Sequence, residues 1–351
     1  MSTLLLDRAG LEVRSDGNAL ALYEAGERRG SVPLALLERC IIQGAQTRLD
    51  SGVLLKLAEA GVTTVLFSPR AGRRVATVLG PAHNDAAVRL AQAHRVGDAG
   101  WCLQWSRQIV RAKLLRQRRA LRTWLAARPD ARKPLTDALA SVDAALGRLA
   151  DAAGDADEAP APADAGAAPL DIPAPLDIPA LRGLEGAAAR AHFAGLAAVL
   201  PPALGFAGRN RRPPRDPANV CLSLAYTLLH VEAVQACHIA GLDPLLGFYH
   251  RPAFGRESLA SDLIEPLRAA ADVWAWQLLR ERRLREEHFS NDRGACLLGK
   301  AGRASFYAAW AGESRPWRRW LRQRAVTLAR HLRGEGLAWV DADPDDEEAL
   351  A

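Results

Sequence analysis

Residues 216–241 read DPANVCLSLAYTLLHVEAVQACHIAG, and this stretch predicts one long helix that lies in a protein core. Asp216 supplies an N-cap acid, and Pro217 occupies the first helical position, where proline is favoured. Gly241 supplies a natural C-terminal stop. Since each residue adds about 1.5 Å of rise, the segment forms a long rod, and its apolar composition requires most of it to be buried.

One carboxylate, Glu232, lies deep in this apolar helix. Its neighbours three and four positions away are Leu228, Leu229, Gln235 and Ala236. A carboxylate on such a surface loses hydration, which is costly unless a cation or a hydrogen-bond donor compensates. The residues alone leave two interpretations open: Glu232 points into solvent on a wet side of the helix, or it serves a buried site.

The chain after this helix adds one histidine and two further acids around a turn. The segment LDPLLGFYH leads to His250, and a second helix is predicted to begin near Ser258, an N-cap candidate. Asp262 and Glu265 are three positions apart in that helix and share a face. Plainer interpretations exist, because a lone histidine is commonly packed or solvent-facing and an acid in a first turn stabilises the positive helix end.

Two helices joined by a turn can place three of these side chains around one point: Glu232, His250 and Glu265. Two carboxylates and one imidazole suit a divalent ion such as Mg²⁺ or Mn²⁺ that keeps open water positions. Such an ion serves phosphodiester chemistry, because it neutralises non-bridging oxygens and lowers the pKa of a bound water or hydroxyl. The sequence therefore predicts a metal site at these three residues.

Charge is unevenly distributed along the 351 residues, whose net charge is +6. Residues 151–171 and residues 341–351 hold six acids each and no base. Without these two segments, 46 bases face 28 acids, so the rest of the chain carries a charge of +18. Charge of that sign and size indicates a polyanionic partner, with nucleic acid as the first candidate, although a GC-rich genome, which favours Arg over Lys, gives the same composition.

The first eighty residues predict a small, mostly β domain. Short apolar or alternating runs (LLLD, LEVRS, ALALYE, CIIQ, TTVLF and RRVATVL) are separated by turn-forming sequences such as SDGN and AGERRG. One short helix, GVLLKLAEA, interrupts them, with Ser51 as its expected cap and Gly61 as its end.

The pattern changes near Pro81, after which we expect no strand until about residue 335. A connecting helix is predicted over residues 81–95, with Asn84 or Asp85 as its cap, and residues 96–340 are predicted to form a larger, all-α catalytic domain. The predicted fold class is therefore α+β, with a small N-terminal β domain at residues 1–80 followed by the helical domain.

Two segments are predicted to lie outside the folded core. Residues 151–180 consist mostly of Ala, Pro, Asp and Gly, with a tandem PLDIPA repeat at residues 169–180, which is typical of a flexible insertion. Residues 341–351 form an acidic tail.

The sequence also predicts a cytoplasmic location and no membrane partner. We expect no apolar run to be long enough to span a bilayer, and MSTLLLDRAGLEV lacks the pattern of a signal peptide. The five cysteines are odd in number and include no Cys-x-x-Cys pair, so we expect reduced, mostly buried thiols and no zinc site.

Several segments, in a fixed order, resemble the CRISPR-associated adaptation integrase, which is also described as an endonuclease and is the larger of the two universal proteins that capture new spacers. The most specific segment is residues 219–268, which begins NVCLSLAYTLLHVEAV and ends SLASDLIEPLR. Supporting segments are GSVPLALLERCIIQGAQTRLDSGVLLKLAEAGVTTVLF, HNDAAVRLAQAHR, LRGLEGAAARAHF and FAGRNRRPPRDPAN.

The resemblance implies roles for particular residues. The metal ligands of the family are a glutamate, a histidine and a third acid, and they fall on Glu232, His250 and Glu265. A further acid of the family falls on Asp262, in a supporting role. Some members carry aspartate at the third position. Five arginines are expected to contact the DNA backbone, although each has ordinary surface solvation as its alternative: Arg209, Arg211, Arg212, Arg215 and Arg256.

The resemblance also implies a reaction and partners. The 3′-hydroxyl of a prespacer DNA attacks a phosphodiester at the edge of a CRISPR repeat, with Mg²⁺ or Mn²⁺ as the cofactor. The protein is expected to form a homodimer through its β domain and to assemble with the second universal adaptation protein. Two alternatives stay open: a metal-dependent nuclease on branched or single-stranded DNA without an integrase role, and a catalytically silent DNA-binding scaffold.

Overall fold

A computed structural model describes residues 2–44, 46–69, 74–81, 83–154, 176–210 and 213–340. The chain divides into two compact units, each discontinuous in sequence. Unit 1 comprises residues 1–94, 210–244 and 277–351, and unit 2 comprises residues 95–209 and 245–276. The domain boundaries predicted near residues 80 and 95 stay a prediction, because these units follow packing rather than chain order.

The N-terminal region of unit 1 is built from strands, as predicted. In chain order its elements are β1 (Ser2–Leu6), β2 (Leu11–Asp16), β3 (Ala19–Glu24), β4 (Glu27–Pro33), β5 (Leu37–Ile42), β6 (Arg48–Leu49), α1 (Ser51–Glu59), β7 (Thr63–Phe67) and β8 (Arg74–Val78). One sheet has the order β1-β5-β7-β8 and the other the order β4-β3-β2-β6. Apolar side chains of both sheets and of α1 form one core cluster, which includes Val13, Leu20, Cys40 and Leu57.

Two local predictions in this region were wrong. The sequence AGERRG was predicted as a turn, but β4 begins at Glu27 and pairs with β3 in an antiparallel register. The cap of α1 is Asp50 rather than Ser51, because the Asp50 side chain accepts the Val53 N–H at 2.8 Å and Ser51 is already helical. Gly61 follows the helix with a φ of 69°, as expected for a residue that ends it.

The rest of the chain is mostly helical, which confirms the predicted fold class. Its helices are α2 (Ala86–Gly97), α3 (Ala99–Ala127), α4 (Arg132–Gly154), α5 (Ile178–Val199), α6 (Pro217–Ala240), α7 (Ser258–Arg280), α8 (Lys300–Glu313) and α9 (Arg315–Val340). The Asp85 side chain accepts the Ala87 N–H at 3.1 Å, so Asp85 supplies the expected cap of α2.

The prediction that no strand follows residue 81 was wrong. Strands β9 (Phe289–Asp292) and β10 (Ala295–Leu298) form an antiparallel hairpin in unit 1. Its two-residue turn places Arg293 at a φ of 48° and Gly294 at a φ of 80°, the left-handed geometry that a tight hairpin turn requires. Two strands of four residues each are too short to show a clear alternating pattern in the sequence.

Helix α6 has the bounds that its sequence predicts. The Asp216 side chain accepts the Asn219 N–H at 2.8 Å, Pro217 is the first helical residue, and Gly241 ends the helix with a φ of 80°. The statement that no apolar run could span a bilayer was wrong on length and composition, because α6 satisfies both criteria. However, 78% of its most apolar window is buried inside the protein, as expected for a core helix.

Helices α3, α4 and α5 pack together in unit 2. The packing is tight at Gly195 of α5, where an added Cβ would lie 2.6 Å from a methyl carbon of Leu121 on α3. The predicted insertion at residues 151–180 is helical at both ends, because α4 runs to Gly154 and α5 begins at Ile178. Residues 155–175 of that insertion, and the acidic tail at residues 341–351, lie outside the described residues.

Candidate functional site

His250 is held in unit 2 by the buried carboxylate of Asp262. One oxygen of Asp262, in α7, accepts the backbone N–H groups of Phe248 and Tyr249 at 2.8 and 3.0 Å. The other accepts the N–H of His250 at 2.9 Å and lies 2.7 Å from Nδ1 of its ring. Because a carboxylate accepts hydrogen bonds, Nδ1 is the nitrogen that donates, and in the neutral imidazole Nε2 then carries the lone pair. Metal-binding histidines commonly have this arrangement.

The chain before His250 fits tightly against the start of α7. Gly247 leaves no room for a side chain, since an added Cβ would lie 2.5 Å from the backbone carbonyl carbon of Ser258. Phe248 packs edge-on against Trp101 and Trp105 of α3, with ring centroids 4.3 and 5.3 Å away. Ser258 does not cap α7 as predicted; it is the first helical residue, and its hydroxyl donates to the carbonyl oxygen of Arg251.

Glu265 belongs to a buried cluster of charges in the same unit. Its carboxylate lies 2.5 Å from the ammonium group of Lys113, which projects from α3, and 2.9 Å from Nε of Arg268. Burial alone would raise the pKa of Glu265, but Arg268, Lys113 and the nearby His250 outweigh it and lower that pKa to about 2. Glu265 is therefore a permanently charged carboxylate near the imidazole.

The same ammonium group also binds Glu185 of α5. Burial lowers the pKa of Lys113, but Glu265 and Glu185 outweigh that effect and raise it, so the ammonium stays protonated. One cation therefore lies between two carboxylates from different helices, and carboxylate oxygens are ligands that a divalent ion favours.

Tyr249 connects Glu185 to the segment that carries His250. Its hydroxyl lies 3.5 Å from Glu185, and its ring centroid lies 5.1 Å from that of His250. Arg182 of α5 donates to the backbone carbonyl of Tyr249 at 2.9 Å. Burial and the nearby carboxylate of Glu185 raise the pKa of the Tyr249 phenol, so it stays protonated and acts as a donor.

Glu185 was not among the residues predicted for the site. It lies within LRGLEGAAARAHF, one of the segments that carry the family resemblance, so the signal was present in the sequence. It was missed because Glu185 is 65 positions before His250, and local spacing gives no information on which distant acid joins a site.

Glu232 has different surroundings, in unit 1. Its carboxylate pairs with the guanidinium group of Arg39 on β5, and the two residues are 4% and 1% exposed. The interpretation that Glu232 faces solvent was therefore wrong. Arg39 of the same unit is therefore the cation that compensates the buried Glu232 carboxylate, as in a structural ion pair.

The described part of the chain contains no ready-made metal cage, because no three His, Cys, Asp or Glu side chains lie close enough together to hold an ion. The donor chemistry of unit 2 nevertheless fits one. Glu185 and Glu265 already share a cation, and His250 has a fixed orientation with Nε2 available. A divalent ion at these oxygens requires the Lys113 ammonium to move aside.

The arginines predicted to contact DNA are only partly described. Arg215 and Arg256 are exposed, and Arg209 is half-buried. Arg211 and Arg212 lie outside the described residues. The five cysteines are buried thiols without disulfide partners, as predicted, and burial raises the pKa of Cys40 to about 12.

Comparisons with known proteins connect this chain to one family. The family model described as "CRISPR associated protein Cas1" matches residues 4–312. The chain is 34% identical to "CRISPR-associated endonuclease Cas1 1" of Thermodesulfovibrio yellowstonii, over 91% of its own length and 94% of the relative's. It is 33% identical to "CRISPR-associated endonuclease Cas1 2" of Rhodospirillum rubrum, over 98% and 97%.

Two solved structures have a similar fold. A casposase bound to an integration product matches with a TM-score of 0.76 at 20% identity, over 95% of this chain and 91% of the casposase. A CAS1 protein from Thermotoga maritima matches with a TM-score of 0.73 at 21% identity, over 95% and 97%. At these identities the likeness concerns the fold, and it agrees with a small N-terminal β region followed by a mostly helical one.

Proposed function

Because the chain belongs to the Cas1 family of CRISPR-associated proteins, we propose that it is a metal-dependent DNA endonuclease and integrase. It joins the 3′-hydroxyl of a prespacer to the CRISPR repeat by transesterification. The observation that carries this proposal is the cluster in which Lys113 lies between Glu185 and Glu265, beside a histidine oriented by Asp262.

The proposed metal ligands are Glu185, His250 and Glu265. This set keeps two of the ligands expected from the sequence and replaces Glu232 with Glu185. The replacement is supported by the cation that each acid pairs with: Glu232 pairs with Arg39 in unit 1, whereas Glu185 shares the Lys113 ammonium with Glu265 in unit 2.

Each residue has a task that follows from its contacts. Mg²⁺ or Mn²⁺, when bound, supplies a Lewis acid that lowers the pKa of a hydroxyl and stabilises charge on a phosphate. Asp262 orients the imidazole of His250 and fixes its tautomer. Arg268 keeps Glu265 ionised, and Lys113, once displaced from the carboxylates, supplies a positive charge near the reacting phosphate.

The proposed partners follow from the family and from the charge of the chain. Without the two acidic segments, the chain carries a net charge of +18, which favours a polyanion such as DNA as the partner. We retain as proposals a homodimer formed through the N-terminal strands and an assembly with the second universal adaptation protein. Arg215 and Arg256 stay candidates for contacts with the DNA backbone.

Substitution of the two competing acids tests the ligand set. We expect Glu185→Gln to weaken Mn²⁺ binding, measured by calorimetry, and to reduce metal-dependent strand joining about 100-fold or more, because one charged ligand is lost. Glu232→Gln should retain Mn²⁺ binding, since it alters a structural ion pair. Asp137→Asn, at an exposed acid of α4, is the matched control for a lost charge.

The opposite result would restore Glu232 as a metal ligand: Glu232→Gln would lose Mn²⁺ binding, and Glu185→Gln would keep it. Cleavage and joining are measured on the same branched DNA substrates. Cleavage without joining favours the nuclease alternative, and DNA binding without either reaction favours the scaffold.

A further inference from the structure

A tight turn next to His250 exposes an aromatic side chain completely. Residues 251–257, RPAFGRE, lead from His250 to α7, and Phe254 is 109% exposed, as much as in an extended peptide. The Arg256 N–H donates to the carbonyl oxygen of Ala253 at 3.1 Å, and Gly255 has a φ of 69°. This is a β-turn that needs glycine at its third position and places Phe254 at its corner.

Both ends of this turn are fixed by hydrogen bonds within unit 2. On one side, Asp262 accepts three backbone N–H groups at residues 248–250. On the other, the Ser258 hydroxyl donates to the carbonyl oxygen of Arg251 at 3.1 Å. The segment that carries Phe254 is therefore anchored at one end by the same carboxylate that orients His250.

The charges around Phe254 are those of a nucleic-acid contact. Arg251 and Arg256 flank it in sequence and are both exposed. An isolated aromatic ring between two cations matches the alternation of base and phosphate along a single strand. A protein partner would instead require a broad apolar patch, and the other residues of this segment are Pro252, Ala253, Gly255 and one acid, Glu257, which offer little apolar area.

We propose that Phe254 stacks on an unpaired nucleobase of the DNA strand that enters the site, while Arg251 and Arg256 contact the phosphates on either side of that base. The inference rests on the proposed function, because it takes DNA as the substrate. This stacking contact at Phe254 distinguishes unpaired DNA ends from duplex DNA, since only an unpaired base offers its face to the ring.

The test uses the full chain in EDTA, so that it requires neither metal nor catalysis. DNA duplexes with a single-stranded 3′ overhang carry 2-aminopurine in the overhang, and blunt duplexes of equal length serve as the comparison. We expect Phe254→Ser to weaken binding of the overhang DNA about 5-fold to 100-fold and to abolish the quenching of 2-aminopurine. Blunt-duplex affinity should stay within about twofold, and Phe254→Tyr should retain both signals, because its ring also stacks.

Further variants separate stacking from charge. Arg251→Ala and Arg256→Ala should weaken binding at low salt and reduce its salt dependence, while Arg132→Ala, at an exposed arginine of α4, should do neither. Unchanged overhang binding in Phe254→Ser, or an equal loss for blunt duplex, would overturn the inference and leave the proposed function intact. Failure of the wild-type protein to bind any DNA would instead overturn the proposed function.

Discussion

Lys113 determines the charge balance of the cluster around Glu265. Without its ammonium, Glu185 and Glu265 would share a largely buried space in which Arg268 still pairs with Glu265. A lysine suits this position because its flexible stem allows the charge to withdraw, whereas the planar guanidinium of arginine would hold both carboxylates rigidly. Lys113 therefore stabilises this cluster of charges, and in the proposed metal site it would compete with the ion for the same oxygens.

Lys113→Met tests this double role. We expect the metal-free variant to lose about 3–5 kcal/mol in free energy of unfolding, because a buried charge pair is broken. Added Mg²⁺ or Mn²⁺ should restore more of that stability than it adds to the wild type, since the competing ammonium is gone. Urea unfolding with and without the ion measures both effects.

Lys133→Met is the control, because Lys133 is an 87% exposed lysine of α4 in a surface ion pair. It should change neither the stability nor the response to the ion. If Lys113→Met instead bound the ion more weakly than the wild type, Lys113 would be a support for the ligands rather than a competitor.

The predictability of individual site residues depends on their separation along the chain. His250, Asp262 and Glu265 lie within sixteen consecutive residues, so their closeness along the chain brought them into one hypothesis. The pairing of Glu232 with Arg39 joins residues 193 positions apart, and no local pattern reports such a contact. An acid in an apolar helix signals a compensating partner, but it does not identify that partner.

At the scale of elements, long segments with caps were predicted well and short ones were not. Helix α6 combines a cap acid, a proline and a terminal glycine with twenty-four residues, so several signals agree. Strands β9 and β10 have four residues each and depend on pairing with each other, which composition does not show. The strand β4 was missed because it is mostly exposed, with charged residues at its start.

The buried pair between β5 and α6 provides a test at this scale. We expect Arg39→Met to lower the free energy of unfolding by about 3–5 kcal/mol, because Glu232 is left buried without a cation. The double variant Arg39→Met with Glu232→Leu should recover most of that loss, since an apolar pair fills a similar volume. Urea unfolding curves for the two single variants and the double variant measure the coupling.

Arg14→Met supplies the matched control, because Arg14 pairs with Glu12 on an exposed part of β2. It should leave the unfolding curve unchanged. If the double variant were no more stable than Arg39→Met alone, Glu232 would have a role beyond charge compensation, and its assignment as a metal ligand would regain support.

The whole molecule combines a strongly basic remainder with two acidic segments. Composition showed this directly, and it also showed the division into a β-rich beginning and a helical remainder. It did not show that the compact units are assembled from separate stretches of chain, because hydrophobic periodicity identifies elements and not their neighbours. The acidic residues at 155–175 and 341–351 amount to eleven negative charges that can compete with DNA for basic side chains.

Removal of these segments tests that competition. A variant without residues 155–175 and 341–351 should bind duplex DNA more tightly at about 50 mM salt, with a smaller gain at about 200 mM, because screening weakens the competition. Fluorescence anisotropy measures both affinities. A second variant that keeps the full length but replaces the acids with Asn and Gln should show the same gain; no gain in that variant would contradict an electrostatic role.

The interleaving of the two units has a consequence for protein synthesis. Unit 2 requires residues up to 276, and unit 1 requires helix α9, so the ribosome completes neither unit before most of the message has been read. The N-terminal strands leave the ribosome first, and α6 and α9 are synthesised only later. A premature stop codon anywhere between residues 95 and 276 therefore yields a product in which both units are unfinished, rather than one intact domain.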